Sequence, residues 1–240
     1  MISELQSHKH LGLFLSNDCS WWDNHFKYIK DKACQRLNIM RSLKFKLDKK
    51  ALECIYTSFI RPLLEYGDII FDNCTQRLKD ELESLQLEAA RIVTGATNLV
   101  SHNKLYQEIG WLPLAKRRYI HKLILFYKMI NGLTPNYLLS IVPSRNPGPQ
   151  PNTRTRDNLP MLLCKTTLYY NSFFPSCIRA WNNLQRDLKE ASSVELFKQR
   201  MFKHFSSTYV PVFYHSGPRN LQIMHTRLRT QCSALNSHLF

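Results

Sequence analysis

The feature that most constrains this chain is the helical spacing of its apolar residues. Between residues 21 and 44, apolar side chains recur at the spacing that places them on one face of an α-helix. The stripe consists of Trp22, Phe26, Ile29, Ala33, Leu37 and Met40. A second stripe lies between residues 76 and 94, at Leu78, Leu82, Leu85, Ala89 and Ile92. With only 7 Gly in 240 residues, a turn-dense β architecture is disfavoured. The sequence therefore predicts a mainly α fold with a few short peripheral strands.

Capping residues and helix breakers predict the remaining elements. Asp48 caps a helix over residues 49–66 that Pro62 kinks or ends, and Thr75 and Gly95 bound the second striped helix. Further helices are expected over residues 101–110, 113–132, 174–188 and 192–205, the last with Ser192 and Glu195 as a capping box. Residues 221–239 form a last amphipathic segment. Residues 8–16 read as a lone strand, and residues 159–170 as one or two short strands. Residues 143–160 are rich in proline and read as a linker.

The charge of the chain points to an anionic partner. The formal net charge is +15, and basic side chains outnumber acidic ones 18 to 4 after residue 110. Nucleic acid is the simplest partner for such a balance, although a protein that is merely basic remains an alternative. A hydrophobic content of 44% with 13 Phe and 11 Tyr excludes disorder along the whole chain.

Several function classes lack their sequence signatures. The seven Cys form no C-x-x-C pair and leave an odd count, so we expect no disulfide framework, no metal site and a reducing compartment. No signal peptide and no apolar run of membrane-spanning length occur, which predicts an intracellular protein of the cytoplasm or nucleus without a membrane partner. No adjacent Asp-Asp pair lies on a predicted strand turn, and no other catalytic motif occurs, so we expect neither catalysis nor a cofactor.

Short motifs occur in order along nearly the whole chain. The first comprises Lys9, Leu11, Gly12 and Leu15, followed by Trp22 and His25. The second is Arg61, Pro62, Leu64, Glu65, Tyr66 and Gly67, and the third is Leu82, Gln86, Ala89, Arg91 and Gly95. The fourth is Gly110, Trp111, Leu112, Pro113, Leu114, Arg117 and Arg118. The last comprises Arg154, Arg156, Ser172, Phe173 and Ala180 to Leu184. In order and spacing they resemble the region after the catalytic palm in jockey-like LINE-type (non-LTR) retrotransposon reverse transcriptases. Ile109 and Gln185 depart from the usual Leu and Pro.

The resemblance implies a helical, thumb-like array. Residues 1–20 would be the remnant of the last palm strand, residues 21–142 the thumb-like domain, and residues 161–240 a post-thumb helical region beyond the linker. In that family the Asp-Asp box of the RNA-directed DNA polymerase lies upstream of the strand that contains Lys9 and Gly12. The resemblance therefore implies a truncated reverse transcriptase without catalytic carboxylates, with residual non-specific binding of RNA or DNA, such as a template–primer-like duplex.

The candidate nucleic-acid contacts are basic residues at or near the predicted helix ends. Those flanking the first two helices are Arg36, Arg41, Lys44, Lys46 and Lys49, and a second group is Lys116, Arg117 and Arg118. Lys9 and Gly12 join them through the resemblance. Such phosphate contacts give affinity without sequence specificity, and for each of these cations a solvated surface role is the alternative. The alternative function is a co-opted, non-enzymatic scaffold with an apolar protein-binding surface at Leu11, Leu13 and Leu15, which would have faced the palm.

Overall fold

The structure is a computed structural model that describes residues 7–17, 22–143, 158–206 and 217–231. It is 65% helix and 4% strand, which confirms the predicted mainly α class. The strands are β1 (Ser7–His10) and β2 (Leu13–Ser16). The helices are α1 (Asp23–Leu43), α2 (Lys49–Ile55), α3 (Arg61–Glu65), α4 (Gln76–Thr94), α5 (His102–Ile109), α6 (Leu114–Ile130), α7 (Asn136–Leu139), α8 (Thr167–Asn171), α9 (Phe173–Asn182), α10 (Arg186–Lys189), α11 (Val194–Phe205) and α12 (Arg219–Arg229). Most of the predicted linker lies outside the described residues.

The chain divides into two compact units. The first comprises Met1–Asp68, Cys74–Ala115 and Ser206–Phe240, and the second comprises Ile69–Asn73 and Lys116–Phe205. This division differs from the predicted segments, because α12 belongs with the first half of the chain. Most of α6 groups instead with residues 158–205. Sequence order alone does not reveal such a return of the chain.

The lone strand predicted for residues 8–16 is wrong, because the segment folds into a hairpin. β1 pairs with β2 in antiparallel register, with Lys9 opposite Phe14. Leu11 and Gly12 form the two-residue turn, and both have positive φ (46° and 86°). Two positive φ values in a two-residue loop match the twist of the flanking strands. The strand therefore finds its partner within the chain.

The helices α1 and α4 form the core of the first unit. Every residue of both predicted stripes is buried, as the periodicity required. The two helices run parallel, as their ion pairs show: residues further along α1 pair with residues further along α4. The bridging pairs are Asp23 with Arg77, Lys30 with Glu81, and Arg41 with Glu88. Their C-terminal ends consequently lie at the same end of the unit.

Pro62 alters the helix around it without breaking it. The residues between α2 and α3, Tyr56–Ile60, form a π-helical turn in which the Arg61 N–H donates to the Tyr56 carbonyl. Proline has no N–H and crowds the carbonyl four residues earlier, so the chain bonds with a wider spacing just before it. The predicted helix over residues 49–66 is therefore confirmed in extent, with a π-helical turn in place of a break.

Caps predicted from the sequence are found with some corrections. Asp48 accepts the Ala51 N–H at 2.8 Å, and Gly95 ends α4 with φ of 74°. Thr75 occupies the cap position of α4 without a side-chain hydrogen bond. The serine that caps α11 is Ser193, whose hydroxyl accepts the Leu196 N–H at 3.1 Å, and not Ser192.

In the second unit the prediction of strands at residues 159–170 is wrong. No strand occurs among the described residues of this segment, and α8 begins within it. The helix predicted over residues 174–188 is divided into α9 and α10, because Gln185 adopts an extended conformation. Around them the unit has an aromatic core, in which Tyr127 stacks on Phe197 with 4.4 Å between centroids and Trp181 packs against Phe126. Packing of these rings, and not local β propensity, decides the structure here.

Candidate nucleic-acid interface

Two of the predicted phosphate contacts on α1 are bound within the chain. Arg36 donates through Nη1 to the carbonyl of Phe59, in the π-helical turn. Arg41 donates through Nε to the Glu88 carboxylate at 2.8 Å and also contacts Asn38. Because α1 and α4 run parallel, Glu88 lies directly beside Arg41. The charge of Arg41 is therefore balanced before any ligand binds.

Lys49 and Arg118 are buried, which removes them from the predicted set. Lys49 is 5% exposed, and its Nζ donates to the Glu108 carbonyl at 3.3 Å. Burial lowers the pKa of Lys49 to about 8, while the Glu108 carboxylate opposes that shift. Arg118 is 3% exposed and pairs with Asp72, which also accepts from Lys122 at 2.7 Å. Both side chains are held inside their own unit, and a phosphate cannot reach them.

Lys9 and Gly12 lie in the hairpin and differ in role. Lys9 is exposed on β1, with Nζ 4.7 Å from the ring centroid of Tyr28 and 5.4 Å from that of Phe14. Gly12 lies against Tyr66, where a Cβ would be 3.3 Å from the ring. The Tyr66 hydroxyl donates to the carbonyl of Leu11 and so holds the turn against the helices. Gly12 is thus explained by the turn, and Lys9 remains a surface cation.

The apolar surface expected at the hairpin does not form as one patch. Leu13 is buried at 7% exposure, Leu15 is half-buried and Leu11 is exposed. Because Leu11 lies in the turn, its side chain does not continue the face of β2. The three leucines therefore do not form the contiguous apolar surface that the scaffold hypothesis expected at the hairpin.

Lys44 and Lys46 remain on the surface just beyond α1, and α12 adds two arginines to them. Arg219 donates through Nε to the Lys44 carbonyl at 3.0 Å and through Nη2 to the Ile92 carbonyl at 2.7 Å. Arg227 donates through Nε to the Gly95 carbonyl at 3.2 Å. The arginines thus meet the C-terminal ends of α1 and α4, where unpaired carbonyls and the helix dipoles favour cations. We call Lys44, Arg219 and Arg227 the basic cluster.

The cations of the basic cluster repel one another. The pKa of Lys44 is lowered by burial first and then by the charges of Arg227 and Arg219. Burial also lowers the pKa of Arg219, and Asp48 is the acid that opposes this shift. Asp48 is itself engaged as the cap of α2. Within the part of the chain that the structure describes, no carboxylate forms a salt bridge with any of the three cations.

In the second unit, Lys116 and Arg117 lie over phenylalanine rings of α11. Lys116 Nζ is 5.1 Å from the centroid of Phe205, and Arg117 Cζ is 5.3 Å from that of Phe202. Lys116 is exposed and Arg117 half-buried. The charged ends of both side chains therefore lie over aromatic rings, in the arrangement of a cation–π interaction.

Arg219 and Arg227 are the residues that sequence reasoning missed. They occur in a segment recognised only as amphipathic, and their contacts with Lys44, Ile92 and Gly95 span 127 to 175 positions of sequence. A weak signal existed, because α12 contains basic residues and no acidic one. That composition could have indicated a basic surface, but not the helix ends it would meet.

No family model, curated protein or solved structure matches the chain. Among the described residues, none of the helices combines the length and apolarity needed to cross a membrane. A search of the same residues finds no group of three or more His, Cys, Asp or Glu side chains placed to hold a metal ion.

Proposed function

We propose that this chain binds nucleic acid without sequence specificity, through phosphate contacts made by the basic cluster and the adjacent Lys46. The observation that carries the proposal is the convergence of Lys44, Arg219 and Arg227 without a salt bridge to a carboxylate in the described residues. Gathering like charges costs free energy in the unbound protein. A phosphodiester backbone offsets that cost, because its charges lie between the cations.

The net charge supports the same proposal. A chain of +15 attracts a polyanion over several ångströms, and this attraction increases the association rate at low salt. Arg219 and Arg227 are held in place by backbone carbonyls, so binding would order few further side chains. Lys44 and Lys46 supply additional charge at the surface. A site of this kind fixes phosphates and does not read bases.

The experiment measures the affinity of the purified chain for fluorescein-labelled oligonucleotides by fluorescence anisotropy. With four phosphate contacts, from the basic cluster and Lys46, the slope of log K against log salt should be about −3 for a single strand and about −3.5 for a duplex. The double variant Lys44→Glu/Arg227→Glu should bind at least about tenfold more weakly at low salt and reduce the slope by about 2. Arg219 is left intact, because it also joins α12 to α1 and α4.

The control is Lys27→Glu, an equal charge change for each site on an exposed position of the same helix. Lys27 precedes Lys44 by 17 residues, which corresponds to about 26 Å along a helix. If Lys27→Glu weakened binding as much per charge as Lys44→Glu did, the basic cluster would not be the site. Circular dichroism confirms that each variant retains its helix content.

We also propose, from the motif resemblance, that the chain is related to the thumb and post-thumb regions of retrotransposon reverse transcriptases and has no polymerase activity of its own. Retained affinity for nucleic acid without primer extension is the combination that this relationship implies. The proposal requires an intracellular location, in the cytoplasm or the nucleus, where nucleic acid is present. Primer extension by the purified chain alone would contradict it.

A further inference from the structure

Phe45 is the most exposed aromatic residue in the part of the chain that the structure describes. Phe45 is 72% exposed, compared with 68% for Tyr137 and 59% for Phe59. Removing a phenylalanine side chain from water lowers its free energy. An exposure as large as that of Phe45 is therefore either a chance surface position or a ligand-binding position. Its position distinguishes these readings, because Phe45 lies between Lys44 and Lys46.

The ring of Phe45 is part of the surface at which the basic cluster lies. Lys44 Nζ is 5.5 Å from its centroid, and the Lys44 carbonyl accepts from Arg219. Phe45 makes no ring–ring contact with another described aromatic residue. An exposed aromatic ring beside several cations is the arrangement that binds single-stranded nucleic acid: the cations contact phosphates and the ring stacks on a base.

We propose that Phe45 stacks on an unpaired base whose neighbouring phosphates contact the basic cluster, so that the site prefers single-stranded nucleic acid to duplex. This inference rests on the proposed function and makes it more specific. In a duplex each base is already stacked on its neighbours and paired, so the ring has no free base face to cover. In a single strand the base face is available, and every base has one, so the preference is independent of sequence.

The test compares Phe45→Ala with the unaltered chain on three ligands of equal length: a single strand, the corresponding duplex and an abasic strand with the same number of phosphates. Loss of one base–aromatic stack should weaken single-strand binding about 5- to 150-fold. Affinity for the duplex and for the abasic strand should not change. The slope of log K against log salt should also stay the same, because no charge is removed.

Two further variants separate stacking from other effects. Phe45→Leu keeps an apolar side chain and should lose most of the single-strand affinity, whereas Phe45→Tyr keeps the ring and should retain it. Phe59→Ala is the matched control, because Phe59 is also an exposed phenylalanine of the first unit. It lies beside Arg36, about 12 Å along α1 from Lys44, and should leave all three affinities unchanged.

The outcomes distinguish failure of the inference from failure of the proposed function. If Phe45→Ala changed no affinity, or weakened single strand, duplex and abasic strand alike, base stacking would be refuted, while Lys44→Glu/Arg227→Glu could still abolish binding. If those charge reversals had no effect, the phosphate site itself would be refuted. Full retention of single-strand affinity by Phe45→Leu would show that the ring acts only as apolar surface and would also overturn the inference.

Discussion

Replacing Glu108 with glutamine should strongly destabilise the first unit, because this buried carboxylate holds two cations. Glu108 is 5% exposed and accepts from Arg229 Nε at 3.0 Å and from Thr226 at 3.1 Å, and its carboxylate lies 4.0 Å from Lys49 Nζ. The change Glu108→Gln keeps the shape of the side chain and removes its charge. It therefore tests the electrostatic contribution with little change in packing.

The size of the effect follows from the two cations. Lys49 already has a pKa of about 8, so becoming neutral at pH 7 would add at most about 1.4 kcal/mol. Arg229 cannot lose its proton, and the loss of its hydrogen bonds to a carboxylate costs about 1.5–3 kcal/mol. Together these give about 3–4 kcal/mol, which agrees with the cost of removing one partner from a buried ion pair.

Urea denaturation of Glu108→Gln at pH 7, followed by circular dichroism, measures this loss. In a Lys49→Met background, Glu108→Gln should cost roughly 1–1.5 kcal/mol less than it does in the unaltered chain, because no lysine is left unbalanced. Since Arg229 and Thr226 are in α12, the single variant should also weaken nucleic-acid binding by displacing the arginines of the basic cluster. A loss of less than about 1 kcal/mol would refute the reasoning, because it would mean that Glu108 contributes no more than an exposed ion pair.

Three further predictions concern pH, a glycine and catalysis. The ordinary pKa of Lys49 is near 10.5, so between pH 8 and 10.5 Lys49 is neutral in the folded chain and still protonated in the unfolded chain. The free energy of unfolding should therefore rise by about 3 kcal/mol as the pH increases across that window. Urea titrations should show this rise for the unaltered chain and not for Lys49→Met. Gly95→Ala should cost about 1–3 kcal/mol and displace α12, because the new Cβ would lie 2.5 Å from Ile223 at a φ of 74°. Gly110→Ala is the control, because its φ is 72° and a new Cβ would have nothing within 4 Å. In thermal denaturation of both variants, Gly110→Ala should lose only the stability that the backbone strain costs. In primer-extension assays with Mg²⁺, the purified chain should add no nucleotide, and any templated product would contradict this.

Much of the first unit could be predicted because its signals are local. The stripes of α1 and α4 have full helical periodicity, and the Asp48 and Gly95 caps act within a few residues. The hairpin was missed because its signal is weak: Leu11 occupies a turn position where asparagine, aspartate or glycine is usual. The segment after residue 158 was misjudged because its aromatic residues have β propensity, whereas tertiary packing determines its conformation.

The candidate site was only partly predictable, for a related reason. A sequence shows which residues are basic, but not which acid or carbonyl each one meets. Arg41 was indistinguishable from Lys46 until the parallel packing of α1 and α4 brought Glu88 beside it. Lys49 looked like a surface cation because it begins a helix, yet α5 and α12 cover it. Burial and pairing of this kind depend on long-range contacts, which local patterns do not encode.

The return of α12 to the first unit gives the basic cluster a place in the order of synthesis. Ribosomes deliver the chain from its N-terminus, so α1 and α4 emerge and can pack long before Arg227 and Arg229 exist. During that interval Glu108 faces Lys49 without its arginine partner, and Lys44 has no neighbouring guanidinium. The complete basic cluster therefore arises only when synthesis has passed residue 227, and nascent chains shorter than this would bind nucleic acid weakly near the ribosome.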